Sequence, residues 1–138
     1  EFVWTNKGLT TNADETFVGF SVGMSGGVDD SRYVVSNPFT PRLQVGLRAD
    51  GKLFFEHPRQ TQLGVGLQTS TQSLGDILDD GTTLYKVSLS YVGSTNTLRV
   101  AAVSSLNPLQ ELVLEIPDVI TQDLMKGSMA LMAQSCNV

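Results

Sequence analysis

The chain of 138 residues contains very little cysteine and histidine. Cys136 is its only cysteine, so neither an intrachain disulfide nor a cysteine-based zinc site can form. The lack of disulfides suits the cytoplasm and also a bacterial exported protein, and it therefore leaves the compartment open. His57 is the only histidine, and no GxSxG motif accompanies it. The sequence thus gives no support for serine or cysteine hydrolase machinery.

Charge is also scarce, and it is mostly negative. Charged residues make up 17% of the chain, and the nine basic residues are scattered singly among fourteen acidic ones, for a net charge of -5. Because nucleic-acid binding depends on clustered Lys and Arg, we expect no nucleic-acid partner. No apolar run approaches the roughly 20 residues of a membrane helix, and no charged-then-apolar leader is present. Membrane insertion is therefore not predicted.

The length of 138 residues predicts one domain with its own core, spanning residues 1–138. The first residue is Glu1 rather than Met. This start suggests either a processed chain or a module cut from a longer protein.

Alternation of apolar and polar residues is the dominant pattern, and it is typical of half-buried strands. The alternating segments are FVGFSVGM, LQVGLR, KLFFE, LGVGLQ, LYKVSLSYV, TLRVAAV, ELVLEI and SMALMAQ. Asp50 and Gly51 predict a hairpin turn between the second and third of them. Short helical turns are expected at Leu74–Leu78 and Ile120–Met125. The pattern predicts an all-β fold, an antiparallel two-sheet β-sandwich.

The segment LYKVSLSYVGSTNTLRVAAVS predicts two strands joined by a polar turn. Alternation assigns Tyr85, Val87, Leu89 and Tyr91 to the core. We interpret this hairpin as scaffold rather than as a functional site.

The hairpin and the later segment LEIPDVITQDLMKGSMALMAQS resemble the back half of the concanavalin A-like jelly roll. That pattern recurs in legume lectins, laminin-G-like modules and jelly-roll glycoside hydrolases. FVGFSVGMSGGVDDSRY is similar to laminin-G-like domains attached to bacterial phosphoesterases of the alkaline phosphatase D type. The resemblance covers most of residues 17–135, and it implies a fold rather than an activity. It favours an extracellular, cell-surface or periplasmic location.

The sequence departs from that family pattern at both ends. No opening strand pair precedes EFVWTN, and no closing strand follows Gln134. The domain is therefore expected either to be trimmed or to complete its sheet edge with another chain.

Glycosidases of this fold resemble one another in a Glu-x-Asp-x-x-Glu strand, which this chain lacks. The nearest approach is ELVLEIPD, where Glu111 and Glu115 share one face of a strand. We interpret them as solvated carboxylates beside a buried strand. The sequence accordingly predicts a protein that is not an enzyme.

Aspartate pairs in glycine-bounded loops suggest a calcium site. Calcium takes about six to eight oxygen ligands, which Asp29 and Asp30 could supply in part together with loop carbonyls. A second loop carries three further candidates, Asp76, Asp79 and Asp80. The alternative is that these aspartates cap their own turns and that Arg32 pairs with Asp29 or Asp30.

The predicted ligand-binding patch lies in the segment SRYVVSNPFTPR. Sugar binding calls for a flat aromatic ring together with amide and charged groups. The patch consists of Arg32, Tyr33, Asn37, Phe39 and Arg42. Its aromatic rings could instead pack over the core. Trp4 and His57 are weaker candidates, and Trp4 could simply cover one end of the sandwich.

These observations lead to three hypotheses. The first is a non-catalytic carbohydrate-binding module, lectin-like or laminin-G-like, with calcium as its only candidate cofactor and a glycan as its partner. The alternative is a structural or protein-interaction domain that packs against a neighbouring domain or subunit, such as a phosphoesterase or glycoside hydrolase. A jelly-roll enzyme is disfavoured by the missing carboxylate strand.

Overall fold

The computed structural model describes residues 1–7, 17–24, 43–56, 67–117 and 128–134, which contain nine β-strands and no helix. The strands are β1 Phe2–Trp4, β2 Phe17–Met24, β3 Leu43–Arg48, β4 Leu53–Glu56, β5 Leu67–Thr69, β6 Tyr85–Val92, β7 Thr97–Ser104, β8 Asn107–Pro117 and β9 Ser128–Gln134. In this part of the chain there is also no helix with the length and hydropathy needed to cross a bilayer.

The strands form two antiparallel sheets. The four-stranded sheet has the order β1-β6-β7-β8, and the five-stranded sheet has the order β5-β4-β3-β2-β9. The all-β prediction, with two antiparallel sheets, is confirmed. The ninth strand, which alternation did not predict, is β1, whose Trp4 lies opposite Tyr85 of β6.

The hairpin predicted at Asp50 and Gly51 joins β3 to β4. Gly51 has a φ of 77°, which favours glycine, and its N–H donates to the carbonyl of Arg48 at 2.9 Å. The Asp50 side chain accepts the Lys52 N–H at 3.1 Å and pairs with Arg48 at 3.1 Å. Local turn chemistry thus sets the register, with Leu47 opposite Leu53.

The facing sides of the two sheets contribute to one hydrophobic core, so the molecule is sandwich-like. Its buried members are Val18, Phe20, Leu43, Val45, Leu47, Leu53 and Phe55 from the larger sheet, Ile77 from a loop, and Tyr85, Val87, Leu98, Val100, Ala102, Leu112 and Ile116 from the smaller sheet. The alternation along β6 and β7 predicts most of the core residues that the four-stranded sheet contributes.

Tyr91 is an exception, and its predicted burial is wrong. It is 40% exposed, and its hydroxyl donates to Oδ1 of Asn96 at 2.7 Å. Leu89 is only partly buried against the core. The reason is that β1 pairs with β6 only from Tyr85 to Val87, so β6 is the outermost described strand of its sheet at Tyr91, whereas Leu98, opposite Tyr91 on β7, is buried.

The segment that follows β5 is not helical at Leu74–Leu78, so that prediction is also wrong. Leu74 donates its N–H to Gly51 and Ile77 donates to Ala49, both at 2.9 Å, so the segment bonds to the β3–β4 turn instead of to itself. Burial of the Ile77 side chain in the core stabilises this segment against the β3–β4 turn. The turn predicted at Ile120–Met125 lies outside the described residues, as does LGVGLQ before Leu67.

Candidate functional site

All residues of the predicted ligand patch and calcium pair lie outside the described residues. They are Asp29, Asp30, Arg32, Tyr33, Asn37, Phe39 and Arg42, and His57 and Cys136 are outside as well. Their roles stay predictions.

The second aspartate loop is described, and Asp80 acts there as a turn cap. Its Oδ1 accepts the N–H groups of Thr82 at 2.9 Å and Thr83 at 2.8 Å, and the Thr83 hydroxyl donates to Oδ2. The hydroxyl of Thr83, and then the two N–H groups, lower the pKa of Asp80 from 3.8 to about 2. The described residues contain no group of three or more His, Cys, Asp or Glu that could hold a metal ion.

We expect Asp80→Asn to remove a pH-dependent part of the stability. Because folding lowers the pKa of Asp80 from 3.8 to about 2, its contribution is fully present above pH 3.8 and is lost as the pH falls towards 2. The difference in melting temperature between the wild-type protein and the variant should be largest near pH 6 and should close towards about pH 2. A difference that stays constant over this range would show that the carboxylate charge is irrelevant to the turn.

Glu111 and Glu115 share one face of β8, as predicted, and this is the outer face of the four-stranded sheet. Arg99, on the neighbouring strand, binds Oε1 of Glu111 through Nη2 at 2.7 Å and lies 3.9 Å through Nε from Oε1 of Glu115. The two carboxylate side chains are 55% and 63% exposed. They are therefore solvated carboxylates, as interpreted, and each interacts with the same guanidinium.

Trp4 packs at the edge of the core. Its ring centroid lies 5.9 Å from that of Tyr85, at an interplanar angle of 44°, and the side chain is partly buried against the core cluster. This contact agrees with the packing interpretation of Trp4 rather than with a ligand platform.

A cleft that the sequence did not predict lies between an edge of each sheet. It has a volume of about 400 Å³. One wall is Thr69–Gln72, which begins at the end of β5, and the other is Glu111–Leu114 of β8. Among the described strands, β5 is the last of the five-stranded sheet and β8 is the last of the four-stranded sheet. The cleft therefore lies along the seam of the sandwich.

The first wall is fixed by Ser70, whose side chain is buried. Its N–H donates to the Leu53 carbonyl at 2.9 Å, its Oγ accepts the Leu53 N–H at 3.0 Å, and its hydroxyl donates to the Gln72 carbonyl at 2.7 Å. These bonds hold the loop against β4. Thr69, Thr71 and Gln72 stay exposed around it.

The second wall alternates between core and solvent. Leu112 is buried in the core, whereas Val113 is 37% exposed. Arg99 holds the carboxylate of Glu111 on the outer face. Among the described residues, the cleft is therefore lined by two threonines, a serine, a glutamine and a glutamate, beside three aliphatic residues.

No family model matches the chain, and neither a curated protein nor a solved structure is detectably similar to it.

Proposed function

We propose that the chain is a non-catalytic carbohydrate-binding module, lectin-like or laminin-G-like, with a jelly-roll sandwich. The observation that carries this proposal is the cleft between Thr69–Gln72 and Glu111–Leu114. Calcium at Asp29 and Asp30, and ligand contacts from Arg32–Arg42, belong to the same proposal.

The lining of the cleft has the chemistry that sugar hydroxyls require. Hydroxyl and amide groups both donate and accept hydrogen bonds, and a carboxylate accepts from neighbouring hydroxyls. The volume of about 400 Å³ falls within the usual range for small-ligand sites. Val113 adds an exposed apolar surface for the C–H face of a sugar ring.

The arrangement of carboxylates favours binding over catalysis. A glycosidase needs one carboxyl group as acid and another as nucleophile or base, each free to exchange protons. Here Arg99 interacts with both Glu111 and Glu115. Both carboxylates are therefore engaged by the same guanidinium, which leaves neither as an independent acid or nucleophile.

A binding assay on cleft variants tests the proposal. An array of polysaccharides identifies a ligand, and titration calorimetry then compares the wild-type protein with the double variant Thr71→Ala, Gln72→Ala. Since each hydrogen bond is worth about 1 kcal/mol, we expect about a tenfold or greater loss of affinity.

Ser94→Ala is the matched control, because Ser94 is exposed in the β6–β7 turn and does not line the cleft. It should bind as the wild-type protein does. Equal affinity of the control and the double variant would show that the binding site lies outside the cleft. A parallel titration in EDTA tests whether calcium takes part, because chelation should weaken binding if it does.

One observation favours the alternative, an accessory domain that packs against a neighbouring domain or subunit. Leu84, Leu106 and Leu109 are 48%, 67% and 96% exposed. The first two lie at one end of the four-stranded sheet, since Ser105 bonds to both backbone groups of Leu84. This alternative predicts that no polysaccharide binds even at millimolar protein.

A further inference from the structure

Eight of the described residues line the cleft, and Glu111 is the only charged one among them. Its neighbours there are three hydroxyl residues, one amide and three aliphatic residues. The charge of Glu111 is therefore the main electrostatic feature that a ligand meets in this part of the chain.

The ion pairs around Glu111 leave a net negative charge. Arg99 contributes one positive charge, and Glu111 and Glu115 contribute one negative charge each. The sum is -1. Arg99 is thus fully compensated by the two carboxylates and does not offer an uncompensated cation to an anionic ligand.

Arg99 also fixes how Glu111 presents its oxygens. Oε1 accepts the Nη2 hydrogen of Arg99 at 2.7 Å, and within the described residues Oε2 has no such bond. A carboxylate held through one oxygen keeps the other as a positioned acceptor. Such an acceptor suits O–H and N–H donors, and it repels carboxylate and sulfate groups.

We infer that the cleft selects its ligand by charge: it binds uncharged and amino-bearing glycans and rejects those that carry uronic acid or sulfate groups. The inference rests on the proposed function. Glu111 is the specificity-determining residue, and Arg99 is the residue that positions it.

The experiment measures the binding of soluble neutral, amino-bearing, uronic-acid and sulfated polysaccharides to the wild-type protein at low salt. We expect the neutral and amino-bearing classes to bind at least about tenfold more tightly than the anionic ones. The repulsion between two like charges in contact corresponds to about a tenfold loss of affinity. The preference should shrink at about 1 M salt, where the screening length falls to about 3 Å.

Glu111→Gln keeps the shape of the side chain and removes its charge, so anionic glycans should gain affinity relative to neutral ones. Glu115→Gln is the matched control. It removes the same charge from the same face of β8, but Glu115 is not among the described residues that line the cleft, so the preference should change clearly less than in Glu111→Gln.

The possible outcomes distinguish a failure of this inference from a failure of the proposed function. Preferential binding of uronic-acid or sulfated glycans by the wild-type protein overturns the inference and leaves the proposed function standing. An unchanged preference in Glu111→Gln, or the same change in both variants, also overturns it. Failure of every polysaccharide class to bind removes the proposed function and the inference with it.

Discussion

Replacing Gly46 with alanine is expected to destabilise the protein by about 3 kcal/mol, a large part of the stability of a single domain. Gly46 of β3 lies opposite Gly19 of β2. A Cβ atom on Gly46 would lie 2.6 Å from the Cα of Gly19 and closer still to the Val18 carbonyl oxygen. Both are backbone atoms, so no rotamer change relieves the clash and two central strands must separate.

Chemical denaturation of Gly46→Ala, with Gly93→Ala as its control, measures this effect. Gly93 lies in the β6–β7 turn, and the nearest atom to a Cβ there is a ring carbon of Tyr91 at 3.8 Å, an ordinary contact. The control should stay close to the wild-type stability. A Gly46→Ala variant as stable as the control would show that β2 and β3 do not approach each other as described.

Phe55→Ala is expected to lower the free energy of unfolding by about 3 to 5 kcal/mol, the usual range for replacing a buried phenylalanine with alanine. Phe55 of β4 is fully buried in the core that both sheets share. Alanine would leave a cavity between the sheets, because the β-strands around it are held by their ladders and collapse only in part. Denaturant titration gives the change in the free energy of unfolding.

Leu109→Ala is the control for this loss of apolar volume. Leu109 is 96% exposed on β8, so its truncation should change the unfolding free energy by no more than about 0.5 kcal/mol. If Phe55→Ala cost as little as the control, the two sheets could not share the core described above.

Alternation predicted the class of fold because it reports local geometry. Val87 and Val100 are buried as their positions in β6 and β7 require. Alternation does not report where the core ends, so Tyr91 was misplaced. It also missed β1, since three residues are too few to show a period.

A similar limit applies to the outer face of the five-stranded sheet. Ser21 and Gln44 alternate with core residues and therefore point away from the core, yet they are 0% and 1% exposed. Phe54, on the same face, is 3% exposed. The pattern along a strand shows on which side a residue lies, but it does not show whether that side is covered.

The cleft could not be predicted because its walls are distant in sequence. Thr69–Gln72 and Glu111–Leu114 are about forty residues apart, and only the pairing order of the two sheets brings them together. The wall formed by Thr69–Gln72 is a run of uncharged polar residues that matches no known motif. The second wall lies on a predicted strand, and Glu111 shares one face of it with Glu115 as predicted, but neither feature indicates a cleft.

Binding of a carbohydrate in the cleft is tested most directly by titrating the isotope-labelled protein with the polysaccharide selected by the array and recording its amide NMR spectra. Binding in the cleft predicts that the largest shift changes fall on Thr69–Gln72 and Glu111–Leu114, and that they saturate together with the calorimetric signal. Shift changes confined to residues outside both walls, or none at saturating polysaccharide, would contradict a carbohydrate site in this cleft.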